Sequence, residues 1–162
     1  VGPAWYVAAA WLALAVLAQS TIVHYFAIRN VVPSLVLAVV VWYAIRVDAR
    51  RAALFGLVAG LCEDALSAQS GAGWTIATSL SGLLASVLSR GFFADSIPLV
   101  IAITMVATLA RALVFWVVEA LGGYPAGLGG LHFHEAVIAS VLNAIVMVLA
   151  MVVVRRFDPE RR

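Results

Sequence analysis

Long apolar runs alternate along the chain with short polar or charged interruptions, and that rhythm predicts helices rather than strands. A bilayer-crossing helix needs about 20 apolar residues, within a range of about 17–25. The runs predict six spans, at residues 4–27, 33–47, 51–66, 73–90, 96–121 and 134–154. The second and third are short, and are expected to borrow flanking residues or to lie where the bilayer thins. Fusing 33–66 into a single helix is excluded by Arg46-Val-Asp-Ala-Arg-Arg51. Its four charged residues would each cost about 2.5–3.5 kcal/mol at the bilayer centre, so this segment is expected at the surface. Pro33 and Pro98 open the second and fifth helices, since proline suits a first helical turn. The longest connection is Gly122-Gly-Tyr-Pro-Ala-Gly-Leu-Gly-Gly130, expected to face outward.

Composition strengthens this picture. The chain is 65% hydrophobic and 11% charged, with a mean hydropathy of +1.09. Soluble domains run at about 45–50% apolar and about 25% charged. The expectation is one integral membrane domain over 1–162, all-α, with six transmembrane helices and no sizeable soluble part. The first apolar run is too long for a signal peptide and lacks a clear cleavage site, so it is expected to be retained. Cys62 is the single cysteine, which excludes an internal disulfide.

Charge placement sets orientation. All ten basic residues are arginine. With six spans, Arg46, Arg50, Arg51, Arg90, Arg155, Arg156, Arg161 and Arg162 fall on one side, and Arg29 on the other. This bias predicts both termini in the cytoplasm. The net charge of +2 sits in clusters near the membrane edges and offers no basic face for nucleic acid. Trp5, Tyr6, Tyr25, Phe26, Trp42, Tyr43, Trp74, Phe92, Phe93 and Tyr124 lie near span ends, as an aromatic belt would. Trp11 and Phe115 fall deeper and are expected to be packing residues.

The candidate chemistry lies in the polar residues within the spans. On the third span Gly56, Gly60, Glu63 and Asp64 share about 100° of arc, and Gly56-x-x-x-Gly60 permits close helix approach. Carboxylates at a helix C-terminus oppose its dipole, so Glu63 and Asp64 need an arginine or the first turn of another helix. On the fourth span Thr75, Thr78, Ser79, Gly82, Ser86 and Ser89 form one stripe, either a packing seam or one wall of a polar cavity. Arg111 lies ten residues from the outer end of the fifth span, about 15 Å deep. Thr104, Thr108, Phe115 and Glu119 share its face. A mid-membrane arginine should face the bundle interior and have a partner; the candidates are Asp64, Glu63, Glu119, Asn143 and Gln19. It serves either as a structural ion pair or as a ligand or lipid contact, with Thr75, Ser79, Gly82 and Glu119 as further pocket candidates. Gln19 and Asn143 are expected to bond between helices. No catalytic set emerges, and His132-x-His134-Glu135 alone is too nonspecific for a metal site. No cofactor and no enzymatic activity are expected.

These residues carry a resemblance. The chain resembles the bacterial rod-shape-determining protein MreD family over most of its length. The pattern is Gln19 late in the first span, Pro33-Ser-Leu-Val-Leu37 opening the second, and Gly56-x-x-x-Gly60-Leu-Cys-Glu-Asp64 ending the third. Gly73, Asn143 and a short arginine-bearing tail follow. The family usually has aspartate after the proline, where this chain has Ser34. The resemblance implies a non-enzymatic subunit of the elongation machinery in the bacterial inner membrane. It would bind a bitopic MreC-like protein, and through it a RodA-type synthase, its transpeptidase partner and MreB filaments. The resemblance also implies a fold similar to the S components of energy-coupling-factor vitamin transporters. A substrate-binding S component is therefore the alternative function, for which Ala4, Ala8, Ala9 and Ala13 would supply small-residue spacing for docking.

Overall fold

The computed structural model describes residues 2–22, 25, 27–67, 71–91, 96–123 and 125–156, with backbone only at 126 and 154–156. Among these, six α-helices form the fold: α1 (Trp5–Thr21), α2 (Leu35–Ala44), α3 (Ala49–Leu66), α4 (Gly73–Ser89), α5 (Ile97–Leu121) and α6 (Gly129–Arg156). A 3-10 turn, Ala126–Leu128, leads into α6. The described residues contain no strand, only an isolated bridge between Ile28 and Val31. The aromatic positions Phe26, Phe92, Phe93 and Tyr124 and the tail residues Arg161 and Arg162 lie outside the described residues.

The helix lengths support two of the six expected spans. Two helices, α5 and α6, are long and apolar enough to cross a membrane. The others fall short for local reasons. α1 stops at Thr21, with the Ser20 and Thr21 hydroxyls bonded back onto the Leu17 carbonyl, and Arg29 and Asn30 adopt positive φ in the connection that follows. α2 has 10 residues, because the chain from Val32 to Ser34 is extended up to the Ser34 cap. α3 has 18 residues but carries Arg50, Arg51, Glu63 and Asp64 at its ends. α6 begins at Gly129, five residues before the expected start at 134, where the glycine backbone lies against the Trp116 ring.

The short α2 is the axis of the bundle. It has no polar residue and buries seven of its ten, from Val36 and Leu37 to Tyr43 and Ala44. An all-round apolar helix is a buried one. One core cluster joins Leu37 and Val41 to Ala85, Ile103, Ala107 and Met147. A second joins Val36 and Val40 to Leu12, Ala15 and Ala59. The outer helices turn large apolar side chains outward along their length, such as Leu57 and Leu61 on α3, Leu109 and Leu113 on α5, and Val141 and Leu149 on α6. An extensive apolar exterior marks a membrane or partner surface.

α3 and α4 form the closest pair. A Cβ built on Gly56 would stand 2.5 Å from the Thr78 carbonyl oxygen, and one on Gly60 2.5 Å from that of Trp74. From the other side, a Cβ on Gly82 would stand 2.7 Å from the Ala52 carbonyl oxygen. Backbone meets backbone here, as small-residue spacing allows. The aromatic belt needs two corrections. Tyr43 is buried and lies against Phe55, ring centroids 4.5 Å apart. Trp74 is stacked on Phe115 at 3.9 Å. Trp11, expected to pack inside, is 47% exposed, because α1 buries only the face of Ala8, Leu12 and Ala15.

Candidate functional site

The site begins at the start of α2, where backbone N–H groups have no partner one turn back. Gln19 of α1 accepts from the Leu35 N–H at 2.7 Å and points its amide nitrogen at the Pro33 carbonyl oxygen, 3.4 Å away. Asn143 of α6 accepts from the Ser34 N–H at 2.7 Å and donates to Thr108 on α5 at 3.1 Å. The Ser34 hydroxyl caps the helix by accepting from the Leu37 N–H at 3.1 Å. Side chains from two other helices therefore stand in for the turn that α2 lacks.

Arg111 joins this cap to α3 and α4. Its Nη1 donates to Ser34 Oγ at 3.1 Å and its Nε to Thr78 Oγ1 at 3.0 Å. Its Nη2 donates to Glu63 Oε2 at 2.5 Å. The pair is largely buried, with side-chain exposures of 8% and 13%. Thr78 also donates to Glu63 Oε2, at 3.0 Å. The guanidinium lies 4.4 Å from the Trp74 ring centroid, within cation–π range. Of the five partners considered for Arg111, Glu63 is the one in contact. Among the described residues, three of the five guanidinium N–H groups are occupied and Glu63 Oε1 is unbonded.

Asp64 serves a different end. Its Oδ1 accepts from the Trp74 N–H at 3.1 Å, and its Oδ2 from the Thr75 N–H at 2.9 Å and hydroxyl at 2.6 Å. The last turn of α3 thus caps the first turn of α4. Gly73 keeps that turn narrow: a Cβ there would stand 2.9 Å from both Phe115 and Glu119 Oε1.

Beside the knot lies a cavity of about 620 Å³. Its floor is Arg111, Glu63, Ser34 and Asn143, and α1 and α6 form its banks. Of the expected pocket residues, Arg111 lines it. Thr75, Ser79 and Gly82 do not, because they are turned into the α3–α4 seam; Ser79, for example, donates to the Ala53 carbonyl at 3.0 Å. Glu119 lies beside Gly71 and Gly73 instead. His132 lines the cavity with Nε2 2.9 Å from the Ala112 carbonyl oxygen, which makes Nε2 the protonated nitrogen. Sequence reasoning placed Thr108 on the face of Arg111 but missed Ser34 and Trp74 as members of the site. Of these two, only Ser34 carried a usable signal, a serine directly before an apolar helix.

Fold and site together define a small all-helical bundle built around a short capped helix, with a buried ion pair facing a cavity. No family model, curated protein or solved structure matches the chain.

Proposed function

We propose that the chain is a non-enzymatic scaffold subunit of the bacterial cell-elongation machinery, of the MreD type. In this reading six helices sit in the inner membrane, the shorter ones partly re-entrant or in locally thinned bilayer, in an arrangement like that of the S components. Both termini are cytoplasmic. The chain binds an MreC-like bitopic protein, and through it a RodA-type synthase and its transpeptidase partner.

The observation that carries the reading is a convergence. Gln19, Pro33 and Asn143, which supplied the resemblance from separate segments, meet at the start of α2 and spend their polar groups on holding it, while Asp64 does the same for the start of α4. Residues arranged this way fix a shape. Charge placement supports the orientation. Gly2 lies against Arg46 and Val47, and Ser86 donates to the Val47 carbonyl, so the N-terminus and the Arg46–Arg51 turn share the end of the bundle near Arg90. Glu63, Asp64 and Glu119 lie toward the opposite end.

The cavity favours a second reading, a substrate-binding S component. One purification distinguishes the two: tagged protein drawn from its native membrane in mild detergent, with proteins and small molecules identified by mass spectrometry. Recovery of a bitopic shape protein or cell-wall synthases is the expected result. Recovery of a transporter ATPase module or a stoichiometric vitamin overturns the scaffold.

A further inference from the structure

The cavity has a chemistry of its own. Its banks do not close on each other: α1 packs on α2 and lightly on α3, while α6 packs on α5 and α2. The α1 bank presents Val16 and Gln19, and the α6 bank Glu135, Ala136 and Ala139. With the bundle in a bilayer, the gap between them opens sideways into lipid.

Polarity changes with depth along α6. Glu135 lies six residues from the helix start, about 9 Å at 1.5 Å per residue. Ala136 and Ala139 follow below it, where small side chains leave room opposite Val16. This places a charged group above a short apolar stretch, with the polar floor of Arg111, Glu63, Ser34 and Asn143 beyond it. The charges are unequal. The cavity is lined by two carboxylates, Glu63 and Glu135, one guanidinium, Arg111, and the His132 imidazole, whose Nε2 is bonded to the Ala112 carbonyl. Glu63 already matches Arg111, and among the described residues no cation pairs with Glu135. The unmatched charge at the mouth is negative, which repels an anion and attracts an ammonium group.

We propose that this cavity is a binding site for a membrane lipid with an ammonium head group, the ammonium at Glu135 and one chain in the slot between α1 and α6. The proposal rests on the membrane placement above but not on the identity of any protein partner.

The test compares phosphatidylethanolamine with phosphatidylglycerol, which share the phosphate and differ in the ammonium. Full-length protein is exchanged into micelles holding equal amounts of both, and retained lipids are counted by native mass spectrometry. One phosphatidylethanolamine per chain is expected, in preference to phosphatidylglycerol. Glu135→Gln, at an exposed position, should abolish the preference. Ala139→Trp should fill the slot and remove bound lipid of either kind, with helicity by circular dichroism unchanged. Equal retention, preference for phosphatidylglycerol, or an unaltered preference in Glu135→Gln overturns the proposal. Displacement by an equal concentration of soluble glycerophosphoethanolamine overturns it in favour of a small amine. Loss of partner capture with lipid retention intact would count against the scaffold alone.

Discussion

Replacing Arg111 with methionine tests the knot directly. The substitution keeps a long apolar stem and removes every polar contact of the guanidinium. It strands Glu63, whose side chain is 13% exposed, with Thr78 as its remaining donor. Removing one partner of a buried ion pair costs about 3–5 kcal/mol, chiefly because the other charge stays behind. The charge-assisted bonds to Ser34 and Thr78 are lost as well, though polar contacts between membrane helices average only about 0.6 kcal/mol each. The Trp74 contact adds about 1–2 kcal/mol. These terms overlap, and a loss of about 4 kcal/mol is expected for Arg111→Met. Glu63→Gln should cost less, about 2 kcal/mol, because the amide oxygen can still accept from Arg111 and Thr78. Arg111→Met combined with Glu63→Met removes both charges together and should be more stable than Arg111→Met alone by about 2 kcal/mol. Reversible unfolding in mixed micelles with increasing dodecyl sulfate, followed by far-UV circular dichroism, measures all of these. A loss below about 1 kcal/mol for Arg111→Met, or a double variant weaker than the single, would refute the view that this pair holds three helices in register.

Other positions give independent checks. Gly60→Leu should cost about 3 kcal/mol in the same assay, since even a Cβ would stand 2.5 Å from backbone of α4; Gly127→Ala, with open space around it, should stay within about 0.5 kcal/mol. Asp64→Ala removes the acceptor at the start of α4 and should lower stability by about 1–2 kcal/mol, and a loss no larger than that of Thr75→Val would show that the backbone cap is unimportant. Asp48 caps α3, and its carboxyl is held below the ordinary aspartate range, first by the hydrogen bond from the Arg51 N–H against the opposing effect of desolvation, then by the Arg51 charge. Its contribution to stability is therefore present above the unfolded-state pKa and lost as pH falls through the lowered folded value; an acid titration should show this component in the parent protein and not in Asp48→Asn.

Much of the site was legible because charge in an apolar run is conspicuous. Arg111 could be placed by depth, and Gly56 and Gly60 by spacing. Glu63 and Asp64 could be assigned a need, an arginine or a helix N-terminus, from the dipole they oppose; Arg111 takes the first and α4 supplies the second. The choice among five partners was not legible, because it depends on how α3, α4 and α5 are rotated about their axes. The same reason explains Trp74 and Tyr43. Distance from a span end says nothing about azimuth, and both rings turn inward. Helix ends were misread where backbone geometry overrides hydropathy. α1 ends at Thr21, ahead of the positive-φ residues Arg29 and Asn30, and no average over apolar residues registers that.

The shortness of α2 links the knot to the cavity. At 10 residues it spans about 15 Å, half of a hydrocarbon core about 30 Å thick. In the proposed membrane placement, non-helical backbone at such depth is tolerated only where protein or a cavity satisfies it. Gln19 and Asn143 meet that demand for the Ser34 and Leu35 N–H groups. A longer α2 would need neither amide, because its own preceding turn would accept those bonds. Ser34 and Val36 at the start of α2 also line the cavity. The two amides and the cavity thus meet at the start of one short helix. Arg111 belongs to the same arrangement, since the hydroxyl it binds is the cap of that end.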